Sequence, residues 1–339
     1  MRLATGGNWI AILIALFVAL LDQESNQERV ASKQIAPIVP YTHLLTELKR
    51  EDRVDLNDIR RYFAEEIRAV ANIRSEALVD AFAKVPRERF LGPGPWQIQS
   101  DRDENYRTTK DTDPRRLYHN ILVAIDPGRR LNNGQPSYLA FCIDSLDLAE
   151  GDRVLHVGCG VGYYTAIMAE VVGTSGQVTG VEIDADLASR ARENLAYLRQ
   201  AKVAHGDGGK FDPGPCNAIF INAGVTRPSA VWLDSLLPGG RLILYLTVAF
   251  DDGGSGRGFT LKVKREDRGY TAKFLSGVSV FHCIGSRDEE ANQRLREAFM
   301  RNALGSVQSL RRDDHESSDT CWLHGDGFCL STLLVSEDP

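Results

Sequence analysis

Apolar positions in this chain follow two periods, and the change from one to the other marks its architecture. From about Asp55 to Lys84, Ile59, Phe63, Ile67 and Val70 recur at steps of three and four, which predicts helix. A second short helix is expected over Ser75 to Lys84, with Ser75 as its N-cap. The prolines and glycines of Val85 to Trp96 then break regular structure, and the charged stretch Gln99 to Arg116 is expected to be a surface loop. After a helix from Pro136 to Leu148, short apolar runs alternate with helical segments. Strands are expected at Arg153–Val157, Gln177–Ile183, Lys202–His205 and Asn217–Ala223. Helices are expected at Tyr163–Val172, Ala185–Leu198 and Pro228–Leu236 between them, and LLPGGRLILYL reads as a turn and a further strand. Strands alternating with helices predict a parallel sheet with crossovers. Beyond Thr247 the pattern becomes strand on strand: GFTLKVKRE and YTAKFLSGVSVF read as an antiparallel pair, followed by a helix from Glu289 to Asn302 and a polar tail from Arg311.

The expected fold is therefore α/β, a doubly wound and mostly parallel sheet with an N-terminal helical cap and a C-terminal antiparallel extension. The expected division is 1–50 as an apolar segment and linker, 51–247 as the core with its cap, and 248–339 as the extension. The chain has 339 residues, 43% of them hydrophobic and 25% charged, which is ordinary for a globular protein. A formal net charge of −6 and the lack of a notable basic run give no sign of a nucleic-acid partner. Six scattered cysteines without a CxxC pair read as reduced thiols. The run Trp9 to Leu21 is short for a membrane span and no small-residue cleavage pattern follows it. It reads as a signal or anchor, as a helix packed on the domain, or as an over-long gene start. Membrane association through it is not favoured, and the expected location is cytoplasmic.

The candidate chemistry centres on VLHVGCGVGYYTA, Val154 to Ala166. Gly158, Gly160 and Gly162 leave a strand and open a helix, where glycines let the backbone turn tightly and a ligand approach it closely. Glu182, at the tip of the next strand, is placed to accept hydrogen bonds from ribose hydroxyls, and Asp207 after the third strand is placed to accept from an adenine amino group. The Glu182 role suits a dinucleotide as well as S-adenosylmethionine. The spacing GxGxG, without the third glycine of GxGxxG, favours the sulfonium cofactor, which has no pyrophosphate to cradle.

Together with VPRERF (Val85 to Phe90), GQVTGVEIDADLASRARENL, HGDG (His205 to Gly208) and LLPGGRLI (Leu237 to Ile243), this turn resembles the protein-L-isoaspartate O-methyltransferases. The resemblance runs from about Arg60 to Leu246. It implies a class I methyltransferase fold, S-adenosylmethionine as cofactor, and methyl transfer to the α-carboxylate of isoaspartyl residues in proteins or peptides, a protein-repair activity. The family's substrate segment T-x-S-x-P is replaced by Asn132-Asn133-Gly134-Gln135-Pro136, so that Asn132, Asn133 and Gly134 stand where the substrate contacts are expected. The Asn amides or Ser137 are the remaining donors. Asn217 stands where the family often carries Asp, and reads as strand-end structure. Two alternatives stay open: a methyltransferase with another peptide or small-molecule acceptor, and a non-catalytic cofactor-binding protein.

Other chemistry-bearing residues have structural readings. His156 reads as a core histidine. Arg87 and Glu88 are expected either to shape the substrate cleft or to form an internal ion pair. Cys321, His324 and Cys329, with His315 upstream, have the spacing C-x2-H-x4-C, which matches no standard zinc pattern, so the tail is read as packed around Trp322 with no metal.

Overall fold

The computed structural model describes residues 55–100, 103–249 and 255–335. The apolar run Trp9 to Leu21 and the linker up to residue 50 lie outside the described residues. Helix α1 (Leu56–Ala71) starts at Asp55, whose carboxylate accepts from the Asn57 amide, and stops at Asn72 in the left-handed conformation. It buries Phe63, Ala64 and Ile67, while Val70 is exposed. Helix α2 (Glu76–Lys84) is capped by Ser75, which accepts from Leu78 N–H at 3.3 Å. A single helical turn, α3 (Glu88–Leu91), follows.

The stretch Gln99 to Arg116, expected to be a charged loop, holds the short strand Arg107–Thr108, which joins residues on either side of the stretch in a sheet. Strands β1 (Gln97–Gln99), β2 (Arg107–Thr108), β3 (Leu122–Asp126) and β4 (Leu131–Asn132) form a small sheet in the order β2-β1-β3-β4. They cover a satellite core of Leu91, Trp96, Ile98, Leu117, Ile121 and Val123. Strands of two to five residues carry too little alternation to stand out in a charged sequence. Helix α4 (Pro136–Asp144), opened by a proline in its first turn, leads into the main sheet.

Five parallel strands are built as the periodicity predicts: β5 (Arg153–Val157), β6 (Gln177–Glu182), β7 (Ala201–His205), β8 (Cys216–Val225) and β9 (Leu236–Ala249). Helices α5 (Tyr163–Val172), α6 (Ala185–Leu195) and α7 (Ala230–Ser235) connect them. Between the β8–β9 pairs Cys216–Leu236 and Ala218–Arg241 the register shifts, and this shift holds the Pro-Gly-Gly turn. The sheet then continues without a break through β10 (Ser255–Arg265), β11 (Tyr270–Phe281), helix α8 (Glu289–Met300), β12 (Ser309–Arg311), β13 (Cys321–Gly325) and β14 (Phe328–Ser331). Its ten strands run β13-β14-β12-β11-β10-β9-β8-β5-β6-β7. The extension pairs antiparallel throughout.

The central strands are buried on both faces, which is why they read as solid apolar runs. Val154, Ala218, Phe220, Ile243 and Tyr245 pack into the core under α1, α2, α4 and α5. Their sequence neighbours Leu155, Ile219, Ile221, Leu242 and Leu244 pack into the opposite core with Trp232, Leu295 and Trp322. The period of two thus splits each strand between two cores. His156 is fully buried, accepts or donates through Nδ1 to Thr165 Oγ1 at 2.9 Å, and stacks on Phe220 at 5.3 Å. Its reading as a core residue holds. Asn217 Oδ1 accepts from Arg153 N–H at 2.9 Å, a strand-end role as expected.

Arg87 and Glu88 do not pair with each other and neither lines the cleft described below. Arg87 is completely buried and donates to the carbonyls of Leu117, His119 and Ile121 at 2.5, 3.0 and 2.9 Å. Glu88 instead pairs with Arg60 at 3.5 Å and accepts from the Tyr118 hydroxyl. The VPRERF motif is therefore an anchor for the segment that leads into β3. Among the described residues no helix is long and apolar enough to cross a membrane.

Candidate active site

The strand order reverses between β5 and β8: from β5 the chain moves outward to β6 and β7, then returns to build β8 and β9 on the other side. Carboxyl ends of strands at such a switch point leave a crevice. Here it is a cavity of about 920 Å³, within the usual range for a small-molecule site. Its floor is the glycine turn and the ends of β6 and β8, and its rim is the β3–β4 hairpin with the segment after it. The end of β11 and the following His282 to Ile284 form the wall that the extension contributes.

The turn after β5 is fixed from both sides. Gly158 N–H donates to Val181 O at 2.8 Å, and Gly162 N–H donates to Cys159 O at 2.9 Å. Gly162 has φ +91° and is the N-cap of α5. A Cβ there would stand 2.9 Å from Leu195 Cδ1, so backbone sign and packing against α6 both require glycine. At Gly160 a Cβ would have only Ile125 Cδ1 nearby, at 3.9 Å, and so would enter open space beside the cleft.

Glu182 is buried, yet its carboxylate is held rather than stranded. Oε2 accepts from Gly160 N–H at 2.8 Å and Oε1 accepts from Asp184 N–H at 3.1 Å. Each oxygen keeps a lone pair for a further donor. Asp184 caps α6 by accepting from Asp186 and Leu187 N–H, both at 3.0 Å, and its other oxygen pairs with Arg129 at 2.5 Å. That pair ties the β3–β4 hairpin to the tip of β6, and the Leu187 backbone donor, followed by the Arg129 guanidinium, keeps the Asp184 carboxyl below the usual carboxylate range.

Asn132, Asn133 and Gly134 all line the cleft, as do Gly158, Gly160 and Glu182. Gly162 backs the turn from behind. Asn132 Oδ1 is spent within the segment, accepting from Gly134 N–H at 2.9 Å. Asn133 is 7% exposed, and its amide nitrogen is buried without a partner. Gly134 has φ +75°, with Leu139 Cδ2 3.0 Å from where a Cβ would stand. A side chain at this position would be strained, so glycine here goes with a backbone course of its own. Ser137, at the start of α4, does not line the cleft; its backbone N–H donates to Asn120 Oδ1 at 3.0 Å.

Asp207 stands apart from this group. Gly206 and Gly208 line the cleft, but the Asp207 carboxylate accepts from Gly209 N–H at 2.9 Å and pairs with Lys210 at 3.3 Å. Residues that the sequence reading did not single out complete the walls: Tyr138, Asn222, Tyr245 and His282. Tyr138 belongs to α4 yet hydrogen-bonds Thr260 Oγ1 at 2.5 Å and Gly277 O at 3.2 Å, which joins the substrate segment's helix to the extension. No local motif announces these residues, because strands far apart in sequence bring them together.

Residues 60–252 match the family model for protein-L-isoaspartate(D-aspartate) O-methyltransferase. Protein-L-isoaspartate O-methyltransferase 1 of Archaeoglobus fulgidus is 32% identical over 195 residues, 56% of this chain and 81% of that one. The Methanopyrus kandleri enzyme of the same name is 32% identical over 199 residues, 57% of this chain and 79% of that one. A solved protein-L-isoaspartate O-methyltransferase aligns with a TM-score of 0.51 at 22% identity, over 71% of this chain and 69% of that one. A second, a putative member from Plasmodium falciparum crystallised with S-adenosyl-L-homocysteine, aligns with a TM-score of 0.50 at 19% identity, over 66% of this chain and 97% of that one. These two likenesses establish the class I methyltransferase fold. With a family model matched over more than half of its length, the chain belongs to the protein-L-isoaspartate O-methyltransferase family.

Proposed function

We propose that this chain methylates the free α-carboxylate of isoaspartyl residues in proteins and peptides, with S-adenosylmethionine as the methyl donor. The observation that carries the reading is the pairing of a fixed carboxylate, Glu182, with an unpartnered amide donor, Asn133, in one cleft of sufficient size. The residues present fit the cofactor. Gly160 leaves the turn open for it, Gly158 lets the turn pack against Asn222, and the free lone pairs of Glu182 are acceptors for ribose hydroxyls. When bound, it supplies an electrophilic methyl group, whose transfer to a carboxylate oxygen breaks the methyl–sulfur bond and leaves the thioether.

The acceptor carboxylate is already ionised at neutral pH. No general base is required, and no proton is exchanged in the transfer. The work left to the protein is to hold the carboxylate in line and exclude water. Asn133 is the donor for that carboxylate in this reading, replacing the hydroxyls of the family's usual segment. Asp207 is assigned to the adenine end through the turn it organises at Gly206 and Gly208. The reading includes a role in protein repair, and a cytoplasmic location suits its cofactor.

Asn133→Ala tests the assignment. We expect kcat/KM for an isoaspartyl peptide to fall roughly 10- to 100-fold, the worth of one hydrogen bond to a charged group, with cofactor affinity unchanged. Unchanged kcat/KM would remove Asn133 from the substrate site. A second reading, a different acceptor carboxylate, is favoured by glycine at 134, whose φ of +75° a side chain would rarely adopt. It would be supported by transfer to an aspartyl or C-terminal carboxylate at equal rate.

A further inference from the structure

The strongest chemistry outside the cleft lies in the tail. His315, Cys321, His324 and Cys329 each offer one ligand atom, and these four atoms lie within 4.8 Å of one another. None of the four residues lines the cleft. We propose that they bind one zinc ion in a closed, four-coordinate Cys2His2 site that fastens the C-terminal edge of the sheet.

Geometry supports the set. Zinc with Zn–S of about 2.3 Å and Zn–N of about 2.0–2.1 Å places tetrahedral ligand atoms roughly 3.3–3.8 Å apart. His315 Nε2 and Cys321 Sγ are already 3.5 Å apart. The longest separation needs to close by about 1 Å to reach coordination. The antiparallel hairpin of β13 and β14 sets His324 directly opposite Cys329, and Cys321 opens the same hairpin. The irregular segment before β13 brings His315 back over it, so that the two imidazole rings meet edge to face at 4.8 Å.

Two further observations point to a ligand rather than to packing. His324 Nδ1 is buried without any hydrogen-bond partner, a costly state for a ring nitrogen unless something else takes its lone pair. The groups behind the cluster are also arranged as they are around metal-bound histidines and thiolates. His315 Nδ1 faces Asp313 O at 3.0 Å and Asp313 Oδ2 at 3.2 Å, which places its proton there and leaves Nε2 free to bind. Asp313 is itself held by Arg311. Ser318 N–H donates to Cys321 Sγ at 3.4 Å.

Two sulfurs and two imidazoles are a donor set suited to zinc, and four protein ligands leave no position for substrate. The site is structural. It would pin residues 312–320, which have no regular structure, to an edge hairpin whose Trp322 packs on Phe274 at 5.0 Å and Phe299 at 5.8 Å. The spacing H-x5-C-x2-H-x4-C hid it, because the sequence expectation of no metal rested on comparison with familiar spacings.

The test is metal analysis of the full chain, purified without a metal-affinity tag or chelator. We expect about one zinc per chain, retained through gel filtration, and tetrahedral d–d and thiolate charge-transfer bands after replacement by cobalt. Cys321→Ser combined with Cys329→Ser should abolish both signals, whereas Cys216→Ser should keep them. Zinc below about a tenth per chain even after incubation with zinc would overturn the proposal. So would a Cys321–Cys329 disulfide in protein isolated without oxygen. The wild-type measurement decides even if the double variant does not fold.

Discussion

Glu182 is the residue on which cofactor recognition turns. Its two oxygens already accept from Gly160 and Asp184 N–H, so the carboxylate cannot swing away from the cleft. Glu182→Ala removes both the ribose acceptor and the brace on the glycine turn. We expect binding of S-adenosylhomocysteine, read by calorimetry, to weaken roughly 10- to 100-fold, corresponding to about 1.5–3 kcal/mol for a charged hydrogen bond. Affinity within a factor of two of the parent would contradict the role. Its position was legible in the sequence, since a strand, a glycine turn, a helix and a second strand ending in an acid can be read locally. Asn133 was legible only as a member of a segment. That Asn132 is consumed by Gly134 while the Asn133 amide is left free depends on how the backbone turns at Gly134, which no pattern encodes.

At the scale of elements, the segment between α3 and β3 rests on one buried cation. The three carbonyls that Arg87 satisfies belong to Leu117, His119 and Ile121, and its guanidinium also lies 5.7 Å from the Phe63 ring centroid. Arg87→Ala leaves these buried acceptors without donors and opens a cavity. We expect a loss of about 3 kcal/mol or more in denaturant unfolding, because each buried group left unpaired costs about 1–3 kcal/mol. A change below about 0.5 kcal/mol, the range of ordinary surface substitutions, would contradict this account. The βα alternation from Arg153 to Leu246 was readable because the central strands β5, β8 and β9 are apolar on both faces and the helices Tyr163–Val172 and Ala185–Leu195 are long enough to show their period. The small β1–β4 sheet was not, because its strands are two to five residues long and its core is a handful of side chains gathered from both flanks.

For the whole molecule, the buried His156 makes acid stability measurable at one site. Burial pushes its pKa down from 6.5 to about 3. Below pH 6.5 the unfolded chain takes up a proton that the folded chain does not, so stability falls as pH drops from about 6.5 toward 3. The imidazole alone accounts for about 2 kcal/mol at pH 5. His156→Asn should therefore flatten the dependence of unfolding free energy on pH by close to one proton, about 1.4 kcal/mol per pH unit, between pH 6 and 4. An unchanged slope would mean that the histidine is charged in the folded state. The extension also belongs to this scale. Its strands looked like an appendage in the sequence, yet they continue the sheet and supply a wall of the cleft through Val278 to Ile284. The antiparallel pair β10–β11 was readable in the sequence, but its docking on β9, which extends the parallel sheet and carries the end of β11 to the cleft, was not.

The central claim is methyl transfer to an isoaspartyl carboxylate despite a substrate segment of Asn-Asn-Gly. The most direct measurement supplies methyl-labelled S-adenosylmethionine to the full chain with an isoaspartyl peptide and, in parallel, its aspartyl twin. The expected result is base-labile label on the isoaspartyl peptide and none above background on the twin. Equal labelling of both peptides, or no labelling of either by protein that binds S-adenosylhomocysteine, would contradict it.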